Sequence, residues 1–322
     1  MPGFFRHRLR VSGQPDLPDP HPAARGPLSS HGHTTMHIAV IGMGLLGRAV
    51  AERLHDQGHA VTVYNRTAAK TEPLRARGLA VAPSPADALA AADCALLFLT
   101  DAAAIRSVLF ESTPPEALRN RTIIQMGTIS PEESQALLAS VTKAGGDYCE
   151  APVLGSIAEA LAGSLLVMAG GTQDQFDHWN PVFRSLSSAP TLIGTVGQAA
   201  TLKLALNHLI AAELTAFASS LGLIQRSGVS VGHFMAILKT SALFAPAFEK
   251  KLPRLLARQY DNPNFPTTHL LKDVNLFAEE ARHRGLPVTS VESLRSILED
   301  TIRRGYGEAD YSALFETMNP KD

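Results

Sequence analysis

The apolar positions of this chain change their period twice. From Met1 to Thr35 the sequence is dominated by Pro, His, Gly and Arg, and no apolar period emerges. This stretch predicts a disordered leader without the apolar core of a secretory signal, so the folded protein is expected to begin at Met36. From there, runs of strand length alternate with helical patterns. His37-Ile38-Ala39-Val40-Ile41 reads as a strand that stops at glycine. A helical stretch follows from Leu45 to about Gln57, ended by Gly58, and Ala60-Val61-Thr62-Val63-Tyr64 reads as the next strand. Strand, glycine-rich turn, helix and strand within about thirty residues make a βαβ unit.

The alternation continues. Strands are expected from Cys94 to Leu99, Thr122 to Gln125, Asp147 to Glu150 and Ser164 to Met168, with helices from Ala103 to Leu109 and Pro131 to Ala144. Continuously apolar strands between helices predict a mostly parallel sheet covered on both faces. After Gly194 the period becomes helical throughout. Gln198 to Gln225 is one unbroken Ala/Leu-rich pattern, and the remainder is helical segments broken by Pro246, Pro253, Pro263, Pro266 and Pro287. The expected organisation is a leader over 1–35, an α/β domain over 36–195 and an all-α domain over 196–322 that begins with the long helix. That all-α domain is expected to carry substrate contacts and an oligomer interface, with a homodimer or homotetramer as the assembly.

Composition narrows the function. The chain of 322 residues carries 29 Lys+Arg against 30 Asp+Glu, so it has no broad basic field for nucleic acid or a membrane surface. No apolar run is expected to span a bilayer. Only two cysteines are present, Cys94 and Cys149, both in strands. They read as reduced buried thiols of a cytoplasmic protein rather than a disulfide framework. The 12 histidines are scattered, no cluster of metal-ligand spacing emerges, and no metal is expected. His208 is read as packing.

Gly42-Met43-Gly44-Leu45-Leu46-Gly47 matches G-x-G-x-x-G between a strand and a helix, the context that gives the pattern meaning. Gly42 permits the tight turn, Gly44 lets backbone approach a pyrophosphate, and Gly47 lets helix and strand pack closely. The helix N-terminus offers free N–H groups to the anion. The α/β domain is therefore expected to be a Rossmann domain with a nicotinamide dinucleotide as cofactor. At the end of the second strand, where Asp or Glu usually accepts from an NAD ribose, stand Asn65-Arg66-Thr67. Arg66 can pair with a 2′-phosphate, and Asn65 and Thr67 can donate to it, so NADP(H) is expected over NAD(H).

These residues resemble the β-hydroxyacid dehydrogenases, from Met36 to the C-terminus. The glycine loop is similar, with Leu46 where the family usually has Met. Gln125-Met126-Gly127-Thr128-Ile129-Ser130-Pro131 is similar to the family's D-x-S-T-x-S-P, with Gly127 replacing serine. Independently, Ser130, Pro131 and Glu133 form a capping-box pattern. Glu150-Ala151-Pro152-Val153-Leu154-Gly155-Ser156 resembles the family's substrate loop, with Leu154 lacking a hydroxyl found in many relatives. Gly194-x-x-Gly197 is followed by Lys203 and Asn207, spaced to share one helix face. Leu271-Lys272-Asp273 resembles a later Lys-Asp pair.

The resemblance implies an oxidoreductase interconverting a small hydroxy acid and its aldehyde or keto acid. It implies Lys203 as general acid/base, Asn207 orienting the lysine or the substrate oxygen, and Thr128, Gly155 and Ser156 holding the substrate carboxylate. Cofactor contacts are implied at Gly42, Met43, Gly44, Leu45, Leu46, Asn65, Arg66, Thr67, Leu99, Thr100, Thr128 and Lys272. Two other readings stay open: an imine reductase, which shares the Asn-Arg-Thr signature but usually lacks lysine at position 203, and a non-catalytic nucleotide-binding module.

Overall fold

The computed structural model describes residues 36–321; the expected leader lies outside them. The first half alternates strands and helices: β1 (His37–Ile41), α1 (Leu45–Asp56), β2 (Ala60–Tyr64), α2 (Glu72–Ala76), β3 (Ala80–Val81), α3 (Pro85–Ala90), β4 (Cys94–Leu97), α4 (Ala102–Arg106) and β5 (Thr122–Gln125). It continues with α5 (Pro131–Lys143), β6 (Asp147–Glu150), β7 (Val153–Leu154), α6 (Ile157–Ala162), β8 (Leu166–Gly170), α7 (Gln173–Leu186) and β9 (Thr191–Gly194). The strand order is β3-β2-β1-β4-β5-β6-β8-β7, with β9 beside β8. Pairing is parallel from β3 through β6, and β8 meets both β6 and β7 antiparallel. This is the mostly parallel, Rossmann-like sheet expected, with a turned-back edge.

The strands are legible because both faces are covered. Ile38, Val40, Cys94, Leu96 and Ile124 pack under α1 and α7 on one face; Ala39, Ile41, Ala95, Leu97 and Ile123 pack on the other. Some boundaries differ from expectation, the strand expected from Cys94 to Leu99 ending at Leu97. The strand expected from Ser164 runs from Leu166 to Gly170, because Ser164 still closes the turn after α6 and the Leu165 N–H donates to the Leu186 carbonyl. Strand β9 was not anticipated: its four residues, Thr-Leu-Ile-Gly, are too short and too polar to stand out, and pairing with β8 makes it a strand. The helix expected to Leu109 ends at Arg106 and widens into a π-type turn over Ser107–Glu111.

The second half is helical: α8 (Gln198–Arg226), α9 (Val231–Thr240), α10 (Pro246–Ala257), α11 (Thr267–His283), α12 (Thr289–Thr301) and α13 (Phe315–Met318). Its core is built on α8, where Ala211, Leu214, Phe217, Ala218 and Leu221 meet Leu270, Val274, Leu298 and Phe315. By length and mean hydropathy α8 is long and apolar enough to cross a bilayer, contrary to the sequence expectation. Its apolar residues are instead accounted for by this core, and its first turns lean on the sheet, where Val196 packs with Ile129 and Tyr148.

One buried carboxylate makes that junction. Glu150, at the end of β6, is only 2% exposed. Its Oε1 accepts from the N–H groups of Gly197 at 2.8 Å and Ala200 at 3.0 Å, and its other oxygen accepts from the Ser134 hydroxyl. A helix N-terminus presents unpaired N–H groups and partial positive charge, and the carboxylate satisfies both. Burial nonetheless holds the Glu150 pKa above the usual carboxylate range, against these hydrogen bonds.

Candidate active site

The glycine turn takes the geometry expected of it. Gly42 has φ +102°, and its N–H donates to the Tyr64 carbonyl at 2.9 Å. A Cβ on Gly47 would overlap the Gly42 carbonyl and lie 2.9 Å from Phe98 Cβ, so α1 can approach β1 only with glycine there. A Cβ on Gly44 would meet nothing within 4 Å. Open space over Gly44, at a helix start with no side-chain cap, is what a pyrophosphate requires. The residues present therefore fit a dinucleotide.

Asn65 supports this turn from the neighbouring strand. Its Oδ1 accepts from Met43 N at 3.0 Å and its Nδ2 donates to the Thr67 carbonyl at 2.9 Å. Asn65 thereby ties the glycine turn to the end of β2 and keeps a second Nδ2 hydrogen beyond these two bonds. Met43 is buried, 4% exposed, with its N–H spent on Asn65, so it shapes the turn from below. Arg66 and Thr67 are exposed, and Arg66 has no ion-pair partner among the described residues.

Between the sheet and the helical half lies a cavity of about 500 Å³. From the sheet side it takes Gly44, Leu45, Leu46, Leu99, Thr100 and Thr128, together with the Gly155–Ser156 loop. From the helical side it takes Lys203, Asn207 and Lys272. Residues separated by more than 200 positions are thereby brought onto one wall, while Gly42, Met43, Asn65, Arg66 and Thr67 stand off it. Gly127, where the family has serine, is packed so that a Cβ would lie 2.8 Å from the Leu99 carbonyl.

Lys203 makes no hydrogen bond or ion pair among the described residues. Its pKa is lowered from 10.5 to about 8, chiefly by burial; Asp273 pulls it up and Lys272 pushes it further down. Asn207 does not bond the lysine. Its Nδ2 donates to Asp273 Oδ2 at 2.6 Å, while its buried Oδ1 has no partner among the described residues.

Asp273 is 3% exposed and pairs through Oδ1 with Lys272 Nζ at 2.8 Å. Lys272 Nζ also donates to the Thr128 carbonyl at 2.6 Å. A polar chain thus runs Asn207–Asp273–Lys272–Thr128, from α8 across α11 to the loop after β5, and ties the two walls together.

The Gly155–Ser156 loop departs from expectation. The Ser156 N–H donates to Glu159 Oε2 at 2.8 Å, and the Ser156 hydroxyl donates to the same oxygen. The Ser156 donors expected for a substrate carboxylate already hold an internal one, while Gly155 and Thr128, also expected there, line the cavity. Glu159, Lys250, Lys251, Asn264, His269, Asp273 and Tyr311 also line the cavity and were not among the expected site residues. Only Asp273 carried a signal, as the partner of Lys272; the others converge from loops and helices with no fixed spacing between them. His208 stacks on Phe277 with ring centroids 4.2 Å apart, the packing role expected.

Away from the cavity, Glu132 on α5 and Glu280 and His283 on α11 bring their ligand atoms within 4.8 Å of one another. No spacing in the sequence foretold this group, and Glu280 also pairs with Arg284 at 2.7 Å.

Residues 37–197 match the NAD-binding domain of 6-phosphogluconate dehydrogenase, and residues 197–318 match the NAD-binding domain of NADP-dependent 3-hydroxyisobutyrate dehydrogenase. The chain is 29% identical to glyoxylate/succinic semialdehyde reductase 1 of Arabidopsis thaliana over 88% of its length and 98% of the relative's. It is 28% identical to the cytokine-like nuclear factor N-PAC of Drosophila melanogaster over 85% of its length, and spans only 46% of that protein. The fold is that of 3-hydroxyisobutyrate dehydrogenase from Salmonella typhimurium, with TM-score 0.80 at 23% identity over 88% of this chain and 99% of that one. With a glycine turn open to a dinucleotide, and both halves matched along their length, this chain belongs to the β-hydroxyacid dehydrogenase family of nicotinamide-dependent oxidoreductases acting on CH–OH groups.

Proposed function

We propose that this protein uses NADPH to reduce a small aldehyde or keto acid to the corresponding hydroxy acid, and runs the reverse reaction with NADP+, with Lys203 as general acid/base. The observation that carries the reading is Lys203 itself. It is a buried cavity lysine without a counter-ion contact, with a pKa of about 8, close to the value at which it can both give and take a proton near neutrality. When bound, the dihydronicotinamide supplies hydride to the carbonyl carbon. The Lys203 ammonium faces the oxygen that gains charge, stabilises it, and transfers a proton from Nζ to it. In the oxidative direction neutral Lys203 accepts the hydroxyl proton at the same atom. Asn207, fixed by Asp273, leaves Oδ1 to accept from the lysine ammonium or the substrate hydroxyl.

NADP over NAD is supported by Arg66, an exposed cation at the end of β2 with no carboxylate neighbour to repel a 2′-phosphate. The substrate's carboxylate is supported by the charge of the wall, where the lysines outnumber the carboxylates they face.

The test is Lys203→Ala, assayed by NADPH absorbance against glyoxylate and succinic semialdehyde. Turnover is expected to fall by about three orders of magnitude or more while NADPH binding, followed by fluorescence, stays within about twofold. Turnover near that of the wild type would remove the mechanism.

A further inference from the structure

The substrate loop of this chain is occupied by its own side chain. Glu159 takes both the N–H and the hydroxyl of Ser156. Its pKa is lowered to about 2, first by the Ser156 hydroxyl and further by the Ser156 N–H and Lys250, so it is charged at any physiological pH. A second carboxylate at these donors would meet like charge and find no free hydrogen. The other Glu159 oxygen, Oε1, accepts from Lys250 Nζ at 3.1 Å, across the cavity from α6 to α10.

The other cations of the wall are committed. Lys203 serves the reacting oxygen. Lys251 is 5% exposed, donates to both Asp310 oxygens at 2.7 and 2.8 Å, and lies 4.3 Å from the Tyr311 ring centre. Lys272 is held by Asp273 and the Thr128 carbonyl. Burial and the neighbouring Lys272 lower the His269 pKa, keeping it neutral. Lys250 differs: its ammonium has three donors, Glu159 takes one, and the side chain is 54% exposed on the cavity wall.

We propose that Lys250 anchors the substrate carboxylate, and that Glu159 is a positioning residue which closes the loop to carboxylates and holds Lys250 over the cavity. The anchor thus sits on the helical half, opposite the loop that the family resemblance implied. The ligand class is a small monocarboxylate whose carbonyl reaches Lys203. The inference rests on the hydride-transfer reading of this cavity, but the anchor can be measured without turnover.

The full-length protein is assayed with succinic semialdehyde and with its uncharged amide analogue, and succinate is titrated calorimetrically onto the NADP+-loaded protein. Lys250→Met is expected to raise KM for the carboxylate substrate about tenfold with kcat within about twofold, to leave the amide unaffected, and to weaken succinate by a similar factor. Lys250→Arg is expected to restore much of the loss. Glu159→Gln is expected to raise the same KM, because Lys250 loses its hold. A lower KM for the carboxylate in Glu159→Gln would overturn the proposal, since the loop would then be the true subsite with Glu159 merely blocking it. Unchanged succinate affinity in Lys250→Met would overturn it as well. If the wild type turns over neither substrate nor glyoxylate while succinate still binds, hydride transfer to these acids is refuted and the succinate titration alone decides the anchor.

Discussion

A lysine held largely out of water should weaken the fold that keeps it. Lys203 is perturbed from 10.5 to about 8, principally by burial. Each pH unit between those values is worth about 1.4 kcal/mol of differential interaction, so the charged form costs the native state up to about 3 kcal/mol. The residue keeps some solvent-exposed surface, which makes that figure an upper bound. Below pH 8 the amine is protonated in both folded and unfolded chains, and the whole cost is present. Between about 8 and 10.5 the unfolded chain binds the extra proton, so wild-type stability rises with pH; above 10.5 the cost is gone. Lys203→Met keeps the aliphatic stem and removes the charge. It should be more stable than the wild type at pH 7 by up to about 3 kcal/mol, and that advantage should shrink to near zero by about pH 10.5. Urea unfolding of both proteins without cofactor, at several pH values, reads it directly. A variant less stable than the wild type at pH 7, or an advantage independent of pH, refutes the reasoning. The same titration should show in catalysis: reduction, which needs the ammonium, declines as pH rises through about 8, and oxidation increases.

The remaining predictions concern the scaffold and the cofactor. Gly44→Ala should fold normally, because its Cβ meets no protein atom, yet bind NADPH at least about tenfold more weakly; Gly47→Ala should cost about 3 kcal/mol or more, because its Cβ overlaps the Gly42 carbonyl. Thermal melts and NADPH titrations separate the two, and normal NADPH affinity in Gly44→Ala would contradict the pyrophosphate assignment. Glu150→Ala leaves the N–H groups of Gly197 and Ala200 buried without an acceptor, and should cost about 2–4 kcal/mol in urea unfolding. A cost under about 0.5 kcal/mol would mean that water replaces the carboxylate. Arg66→Ala should reduce the NADPH-over-NADH ratio of kcat/KM by about tenfold to a hundredfold, and a wild type that prefers NADH would dismiss the phosphate role.

Local patterns along the chain were enough for the Rossmann order and the long helix. Their periods are set by which faces are covered, and covered strands such as Cys94–Leu97 read as continuous apolar runs. The glycine turn was legible too, because a positive φ at Gly42 and close packing at Gly47 admit no other residue type. Lys203 was singled out by the Gly194-x-x-Gly197 pattern just before α8, and it lines the cavity. The polar neighbourhood was not legible. The bond from Asn207 to Asp273, sixty-six positions away, and the bonds from Ser156 to Glu159 could not be read from the chain. Strand β9 and the carboxylate of Glu150 beneath α8 were likewise invisible.

Periodicity reports burial along one element, so a single chain determines by itself what each strand and helix is and where backbone must be bare. Hydrogen-bond partners are chosen across elements, by distances that exist only after the sheet and the helical half meet. Only the tertiary structure could decide which carboxylate fills the substrate loop, which lysine is neutralised, and which cation is left facing the cavity.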